Sequence, residues 1–428
     1  MTIQLVTLGC SKNLVDSERI LRQFNAHGFQ VYHRDHPGPS DIIILNTCGF
    51  ILDAKQESVE AILVALDLKT RGLVKKVLVM GCLSERYKEE LKLEMPEVDG
   101  FFGVWDQRAV IESVGGAFYP DQINDRYIST PSHYAFLKIS EGCDRSCSFC
   151  SIPSIRGPQQ SRRVEDLLEE TQLLADKGVK ELILIAQDLT SYGTDLYNKK
   201  SLASLVRRLL SVEKIEWIRL HYAYPTGFPG EVIQLMADEP RICNYIDIPI
   251  QHINNQILRF MNRGHTRKRL EELLLRFREQ VPGVAIRTTV MTGFPGETEE
   301  EFNELLGFVR QFRFERLGVF TYSHEEQTTA YRMKDDIPAS EKERRAALIM
   351  EVQQDISYAI NSSRVGEVFK VLIDKDEGGI LTGRTEYDSP EVDNEVIISN
   401  NENSKEVGNF CKVRITGADQ FELRGELI

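Results

Sequence analysis

A chain of 428 residues is long enough for two or three domains, each with its own core. Its 42% hydrophobic and 27% charged content is ordinary for a water-soluble protein. No apolar stretch approaches the roughly 18 residues of a membrane span, and Met1-Thr2-Ile3-Gln4 opens into an apolar run without a basic leader, so a cytoplasmic setting with no membrane partner is expected. The formal charge of −13 argues against a surface built throughout for nucleic acid and suits a basic partner.

Ile3 to Leu8 reads as a strand, followed by Gly9-Cys10 and a helix from Asp16 to about His27 carrying apolar Ile20, Leu21 and Phe24. The unit repeats. Asp41 to Asn46 ends at Thr47-Cys48-Gly49 before a helix from Asp53 to Arg71, and Lys76 to Met80 ends at Gly81-Cys82 before a helix from about Ser84 to Leu93. Such alternation predicts a doubly wound parallel sheet with ligands beyond the strands' carboxyl ends. Cys10, Cys48 and Cys82 each occupy that end. Taken singly, each is a small buried hydrophobe; three at equivalent turns point to a three-thiolate site along one sheet edge.

Tyr134 to Ser140 reads as a strand running into Glu141-Gly142 and then Cys143-Asp144-Arg145-Ser146-Cys147-Ser148-Phe149-Cys150. Three crowded thiolates suit an iron–sulfur cluster or zinc, and with no nearby fourth cysteine one metal position stays open. Further strands are expected at Glu181 to Ala186, Trp217 to Tyr222, Tyr245 to Ile250, Val284 to Val290 and Leu317 to Tyr322. Helices are expected at Val164 to Lys177, Leu202 to Leu210, Leu270 to Phe277 and Glu299 to Phe312. Six units fall short of a closed eight-fold barrel, so the central fold is an open partial (β/α)6 barrel. Its strand ends present Gln187-Asp188, His221-Tyr222, Gln251-His252, Thr292-Gly293 and Tyr322-Ser323. His221 and His252 fit equally as proton shuttles or as hydrogen-bonded structural groups. Arg263, His265, Arg267, Lys268 and Arg269 form a basic cluster, either a contact to RNA phosphates or the solvated start of a helix.

Ser340 to Glu343 has the form of a capping box opening a connecting helix to about Ala359. Short β-rich runs follow at Val368 to Ile373, Gly379 to Thr385, Glu395 to Ile398 and Cys411 to Thr416, predicting a small antiparallel barrel of about five strands. Cys243 and Cys411 read as core thiols. From Arg364 onward there are eight Lys and Arg against fourteen Asp and Glu, a balance that repels phosphate and attracts a basic protein.

The Cys143 to Cys150 spacing, with Leu8 to Glu18, Asn46 to Ile51 and Gly81 to Ser84, resembles the radical S-adenosylmethionine (SAM) methylthiotransferase family. The resemblance implies an amino-terminal domain over 1–130, a radical SAM domain with linker helix over 131–361 and a TRAM substrate-binding domain over 362–428. It implies two 4Fe–4S clusters. One sits on Cys143, Cys147 and Cys150, its fourth iron chelated by SAM; an auxiliary, sulfur-delivering one sits on Cys10, Cys48 and Cys82. SAM then serves as radical source and methyl donor. Phe149, Gln187, Asp188, His221, Gln251, Thr292 and Gly293 are the implied cofactor-binding residues, with Thr292 to Glu297 lining the adenosyl pocket. Lys12, Asn13, Asp16 and Asn46 match the motifs, and hydrogen bonding within the turns explains them equally well. Arg156 is expected to contact substrate or to pair with an acid.

His221 to Pro225 and Asp247 to His252 resemble the RimO-type enzymes, which modify a ribosomal protein, more than the MiaB-type enzymes, which modify tRNA. The implied activity adds a methylthio group to the β-carbon of an aspartate in a basic small-subunit ribosomal protein, with an electron-donor protein as second partner. The rivals are a tRNA adenosine methylthiotransferase and a non-catalytic iron–sulfur or zinc scaffold. One departure from the family pattern, Gln327 where Gly usually precedes Thr328, puts the local turn in question.

Overall fold

The computed structural model describes residues 1–399 and 407–428. It begins with β1 (Thr2–Thr7), α1 (Ser11–Ala26), β2 (Gln30–Arg34), β3 (Ile42–Thr47), α2 (Leu52–Thr70), β4 (Lys76–Gly81), α3 (Cys82–Glu94), β5 (Gly100–Phe102) and α4 (Gln107–Ser113). The five strands form a parallel sheet in the order β2-β1-β3-β4-β5. Because side chains alternate across a strand, Val77 and Val79 pack with Ile62, Ala65 and Leu83 on one face, while Leu78 and Met80 pack with Ile20, Leu21 and Phe24 on the other. The sheet is doubly wound, as its sequence repeats predict. The short edge strands β2 and β5 lie outside those repeats, and α1 starts at Ser11, one residue beyond Cys10, rather than at Asp16.

Next come β6 (Tyr134–Lys138), β7 (Ser140–Glu141), α5 (Ile152–Arg156), β8 (Gln160–Ser161), α6 (Val164–Asp176), β9 (Glu181–Ile185), α7 (Thr194–Tyr197), α8 (Leu202–Leu209), β10 (Trp217–Leu220), α9 (Gly230–Asp238), β11 (Ile242–Asp247), α10 (Asn255–Phe260), α11 (Arg267–Gln280), β12 (Ala285–Thr292), α12 (Glu299–Phe312), β13 (Arg316–Thr321) and α13 (Ala339–Ser363). Six parallel strands run in sequence order, β6-β9-β10-β11-β12-β13, without closing. The outer face packs Leu137, Leu184, Ile218, Leu220, Ile246 and Ile286 under the helices. β11 ends at Asp247, three residues before the expected Ile250, which is buried but lies past the strand. The expected box at Ser340 does not form. Pro338 caps α13, Ser340 falls inside the first turn, and Glu341 pairs with Arg344 and Arg345 instead. The real capping box is Thr298 with Glu301, opening α12.

The tail comprises β14 (Val368–Asp376), β15 (Ile380–Thr385), β16 (Glu395–Ser399), β17 (Phe410–Ala418) and β18 (Glu422–Leu427), a closed barrel in the order β14-β15-β16-β18-β17. One pairing, β16 with β18, is parallel, which corrects the all-antiparallel expectation. Cys411 lies in this barrel's core, and Cys243 in the contact between barrel and central sheet.

The concave inner face of the central sheet is covered from two sides. Val15 of α1 packs on Phe136, Ile183 and Ile185. Leu372 and Phe410 of the tail barrel pack on Trp217, Tyr245 and Ala285. The loop after β15 enters beside them. Arg219 pairs with Glu181 at 2.7 Å and donates to the Glu386 carbonyl at 2.7 Å, Tyr245 donates to Asp393 at 2.8 Å, and Arg316 donates to Asp388 at 2.8 Å. Arg384 pairs with Asp374 at 2.7 Å and Glu181 at 2.8 Å. Asp374, Asp388 and Asp393 are thus spent inside the molecule, so the tail's composition overstates the negative charge it offers a partner.

Candidate active site

Cys10, Cys48 and Cys82 stand at the carboxyl ends of the neighbouring strands β1, β3 and β4, with Cys10 at the cap of α1 and Cys82 as the first residue of α3. The approach of these turns requires glycine. Gly9 has φ 92°, and a Cβ there would lie 2.7 Å from the Cβ of Cys48. Asn13 donates to the carbonyls of Leu8 at 2.9 Å and Thr47 at 3.2 Å, and Asn46 to the Asn13 carbonyl at 2.8 Å, so both asparagines hold the turns together. Cys48 and Cys82 are buried and Cys10 faces solvent. Burial pushes the Cys48 thiol up to about 12 and raises that of Cys82. The protein crowded around Cys10 pushes its thiol up as well, but Lys12, the Asn13 backbone N–H and Arg156 outweigh this and hold it below the usual range.

The second triad sits on one loop beyond β7. Gly142, φ 73°, lies against the Pro158 carbonyl where no side chain fits. Ser148 fixes the loop's middle, accepting from Ala330 at 2.7 Å through its carbonyl, while its backbone N–H donates to Met261 at 3.0 Å. Arg263 donates to the Cys147 sulfur at 3.3 Å, and the backbone N–H of Arg145 to the Cys143 sulfur at 3.4 Å. Tyr224 lies between two guanidinium groups, with Arg145 at 4.2 Å and Arg263 at 4.3 Å from its ring centre. Burial pushes Cys143 up to about 11 and Cys150 up to about 12.

Arg156 joins the two triads. It ends α5, the helix that begins two residues past Cys150, and donates to the Cys82 sulfur at 3.4 Å. The same guanidinium pairs with Asp16 of α1 at 2.9 Å and with Glu141 at 3.0 Å, and Lys138 pairs with both carboxylates. Glu141 is held at about 2 against burial by Lys138 and Arg156. Of the two roles expected for Arg156, acid pairing is the observed one.

The other sequence candidates separate into two groups. Gln187 donates to Glu141 and leaves its own side-chain oxygen without a partner, and Phe149, within the loop, packs against the cluster of Ile257, Met261, Phe294, Tyr322 and Ala330. Gln251 adopts φ 69°, a strained backbone at the mouth of the barrel. The remaining candidates have partners within the chain. Asp188 accepts from Arg145 at 2.8 Å, Thr190 at 2.6 Å and Ser191 at 2.6 Å. His221 is buried against Ser389 of the tail at 2.9 Å, its pKa pushed well down by burial and by Arg287 and Arg219; His252 lies against Glu297. Thr292 donates to the Lys342 carbonyl at 3.1 Å, and Gly293, φ 72°, is covered by the Lys342 stem, so the close approach this glycine permits is made by α13.

The basic cluster does not form one patch. Arg263 is buried at Cys147, His265 is bonded to Thr226, and Arg267 is paired with Glu271 and Glu304. Arg263, Tyr224 and Arg145 are site residues the sequence did not single out for this role. Arg145 lies inside the cysteine loop and was open to suspicion; Arg263 meets Cys147 across 116 positions and only the fold brings them together. Gln327 takes φ 64°, a backbone conformation that favours glycine.

Among the described residues no three His, Cys, Asp or Glu side chains are gathered tightly enough to hold a single metal ion. Each triad instead offers soft sulfur donors with cationic neighbours, a donor set whose chemistry fits iron–sulfur clusters.

The sequence profile of the radical SAM superfamily matches residues 137–309, that of the uncharacterized protein family UPF0004 residues 2–103 and that of the TRAM domain residues 365–428. By fold and site the protein is a radical SAM enzyme, a class whose chemistry uses a 4Fe–4S cluster and SAM. Its relatives narrow the class. The ribosomal protein uS12 methylthiotransferase RimO of Cytophaga hutchinsonii is 50% identical over 100% of this chain and 98% of its own length, and that of Flavobacterium johnsoniae is 52% identical over 99% and 97%. The chain belongs to the RimO methylthiotransferase family. Among solved structures, the radical SAM methyltransferase TsrM from Kitasatospora setae, bound to tryptophan and a SAM analogue, superposes with a TM-score of 0.54 at 14% identity, covering 74% of this chain and 72% of that one, a likeness of fold.

Proposed function

We propose that this enzyme adds a methylthio group to the β-carbon of an aspartate in ribosomal protein uS12, using two 4Fe–4S clusters. Residues 1–130 carry the auxiliary cluster on Cys10, Cys48 and Cys82, residues 131–361 the radical-generating one on Cys143, Cys147 and Cys150, and residues 362–428 are the TRAM domain that contributes to substrate binding. When bound, the clusters and SAM supply a one-electron cleavage that yields a hydrogen-abstracting radical, a sulfur atom and a methyl group, with electrons from an external donor protein. The chain's residues order that chemistry. Arg145 and Arg263 clamp Tyr224 beside Cys147 and set positive charge against three thiolates. Arg156, Asp16, Glu141 and Lys138 keep the two triads in fixed register.

The observation that carries this reading is that network, since one buried arginine follows the second triad in sequence and touches a sulfur of the first. An unactivated C–H bond is beyond side-chain acid–base chemistry at neutral pH, which is why hydrogen abstraction and sulfur supply belong at one site. Reduced, reconstituted enzyme incubated with SAM and uS12 should add the mass of a methylthio group to one aspartate. Deoxyadenosine formation with unmodified uS12, or modification of tRNA instead, would overturn the substrate assignment.

A further inference from the structure

We propose that Lys12 is the residue that reads the carboxylate of the target aspartate, an inference that rests on the uS12 reading above. Lys12 is the second residue of α1 and is only 8% exposed. Among the described residues it is the one buried lysine or arginine whose side chain makes neither a hydrogen bond nor an ion pair. Lys138 and Arg156 are taken up by Asp16 and Glu141, Arg219 by Glu181, and Arg263 by the Cys147 sulfur and the Pro249 carbonyl. Its Nζ instead rests 3.2 Å from the centre of the Tyr222 ring. Burying an ammonium without an anion is unfavourable, and the ring face compensates only in part.

The ring that carries it is itself held in a costly backbone. Tyr222 has φ 59° at the end of β10, fixed by its N–H donating to Asp247 at 3.1 Å and its carbonyl accepting from Leu189 at 3.1 Å. Such conformations persist where the surroundings over-determine them, typically at ligand sites. Lys12 also stands two residues past Cys10, the solvent-facing member of the sulfur-side triad, and close enough to act on its charge. The position suits aspartate. Its β-carbon is bonded to the carboxylate carbon, so a carboxylate seated on Lys12 sets the reacting carbon one bond away, beside the edge that carries sulfur. A side chain of the same shape without charge, asparagine, can accept a hydrogen bond from the ammonium but does not neutralise it, and so binds more weakly.

The same ammonium has a second possible anion, sulfur carried on the auxiliary triad, and the test separates the two. A uS12 peptide containing the target aspartate and its Asp-to-Asn counterpart are titrated by fluorescence anisotropy against reconstituted Cys147→Ala enzyme, which binds without turnover, with Lys12 intact or replaced. With Lys12 intact, the aspartate peptide should bind about tenfold or more tighter than the asparagine peptide. Lys12→Met should weaken the aspartate peptide by about that factor, leave the asparagine peptide unchanged and so abolish discrimination, while Lys12→Arg restores part of it. Equal weakening of both peptides, or discrimination that survives Lys12→Met, overturns the proposal; survival together with loss of sulfide assigns the ammonium to sulfur. If enzyme with Lys12 intact neither binds nor modifies uS12, the parent reading fails before any Lys12 variant is compared.

Discussion

The two thiol triads hold equivalent positions, each at the carboxyl edge of a parallel sheet, yet they are assembled in opposite ways. Cys143, Cys147 and Cys150 lie within eight residues on one loop, and local spacing alone gathers them. Cys10, Cys48 and Cys82 lie on three turns, and only the strand order β1-β3-β4 makes them neighbours. Their surroundings differ as well. The loop triad is flanked by two arginines stacked on one tyrosine, whereas the sheet-edge triad has a solvent-facing thiol held low and two buried thiols pushed high. A site written in local spacing needs little help to form; one written in topology depends on the packing of the whole sheet. Arg156 ties the second kind to the first.

The largest expected effect divides the triads by function. Cys147→Ala should reduce SAM cleavage by roughly a thousandfold or more, while Cys48→Ala should leave SAM cleavage intact and abolish methylthio transfer. Quantifying deoxyadenosine and modified uS12 in the same reaction checks both. Loss of SAM cleavage in Cys48→Ala would mean the triads are not separable.

The shared frame is next. Glu181 is fully buried between Arg219 and Arg384, and Glu181→Gln leaves Arg219 without its anion and Arg384 with Asp374 alone, which should cost about 3–5 kcal/mol in denaturant unfolding. Because this frame lies under the central sheet, the loss should impair the loop triad and the tail together.

The bridging cations should have smaller and opposite signatures. Arg156→Met removes a donor to Cys82, and Arg263→Met one to Cys147, each lowering cluster retention about ten- to a hundredfold at its own triad. Iron analysis in backgrounds that keep only one triad separates them. A loss at the other triad would show that the network, and not the contact, sets cluster retention.

The smallest effect concerns pH. Glu170, buried among Arg19, Arg126 and Arg162, is held at about 2 against the upward push of burial, by Arg162 first and then by the other two arginines. Its folded pKa is depressed, so its stabilisation is present above about 4.5 and is lost as pH falls towards about 2. Acid unfolding of Glu170→Gln should therefore be less steep across that window than that of the parent. Since Arg19 belongs to α1 and Glu170 to α6, the change should loosen the sheet-edge triad first.

These contrasts also mark what the sequence could show. The cysteine spacing, the three strand–turn–helix repeats, the six-stranded open barrel and the five-stranded tail were all legible, because each rests on local pattern. Missing were β2 and β5, short edge strands with weak periodicity, β18 in the tail, and α9 and α10, whose nine and six residues are too short to display a helical period. The box at Ser340 misled because the Pro338 cap already sets the helix start, while an equivalent box at Thr298 went unread. Asp188, His221 and Gly293 carried the polarity and flexibility expected of cofactor contacts, but their partners, Arg145, Ser389 and Lys342, come from distant segments. The tail's acid count overstates its exposed charge for the same reason, since Asp374, Asp388 and Asp393 meet arginines and a tyrosine that no composition count reveals.

The central claim is that the two triads hold separate clusters. Iron and sulfide counts on the reconstituted Cys10→Ala, Cys48→Ala, Cys82→Ala triple variant test it most directly. The account predicts half the iron and half the sulfide of the parent, one four-iron cluster remaining on Cys143, Cys147 and Cys150. Counts equal to the parent's, or falling to zero, would contradict it.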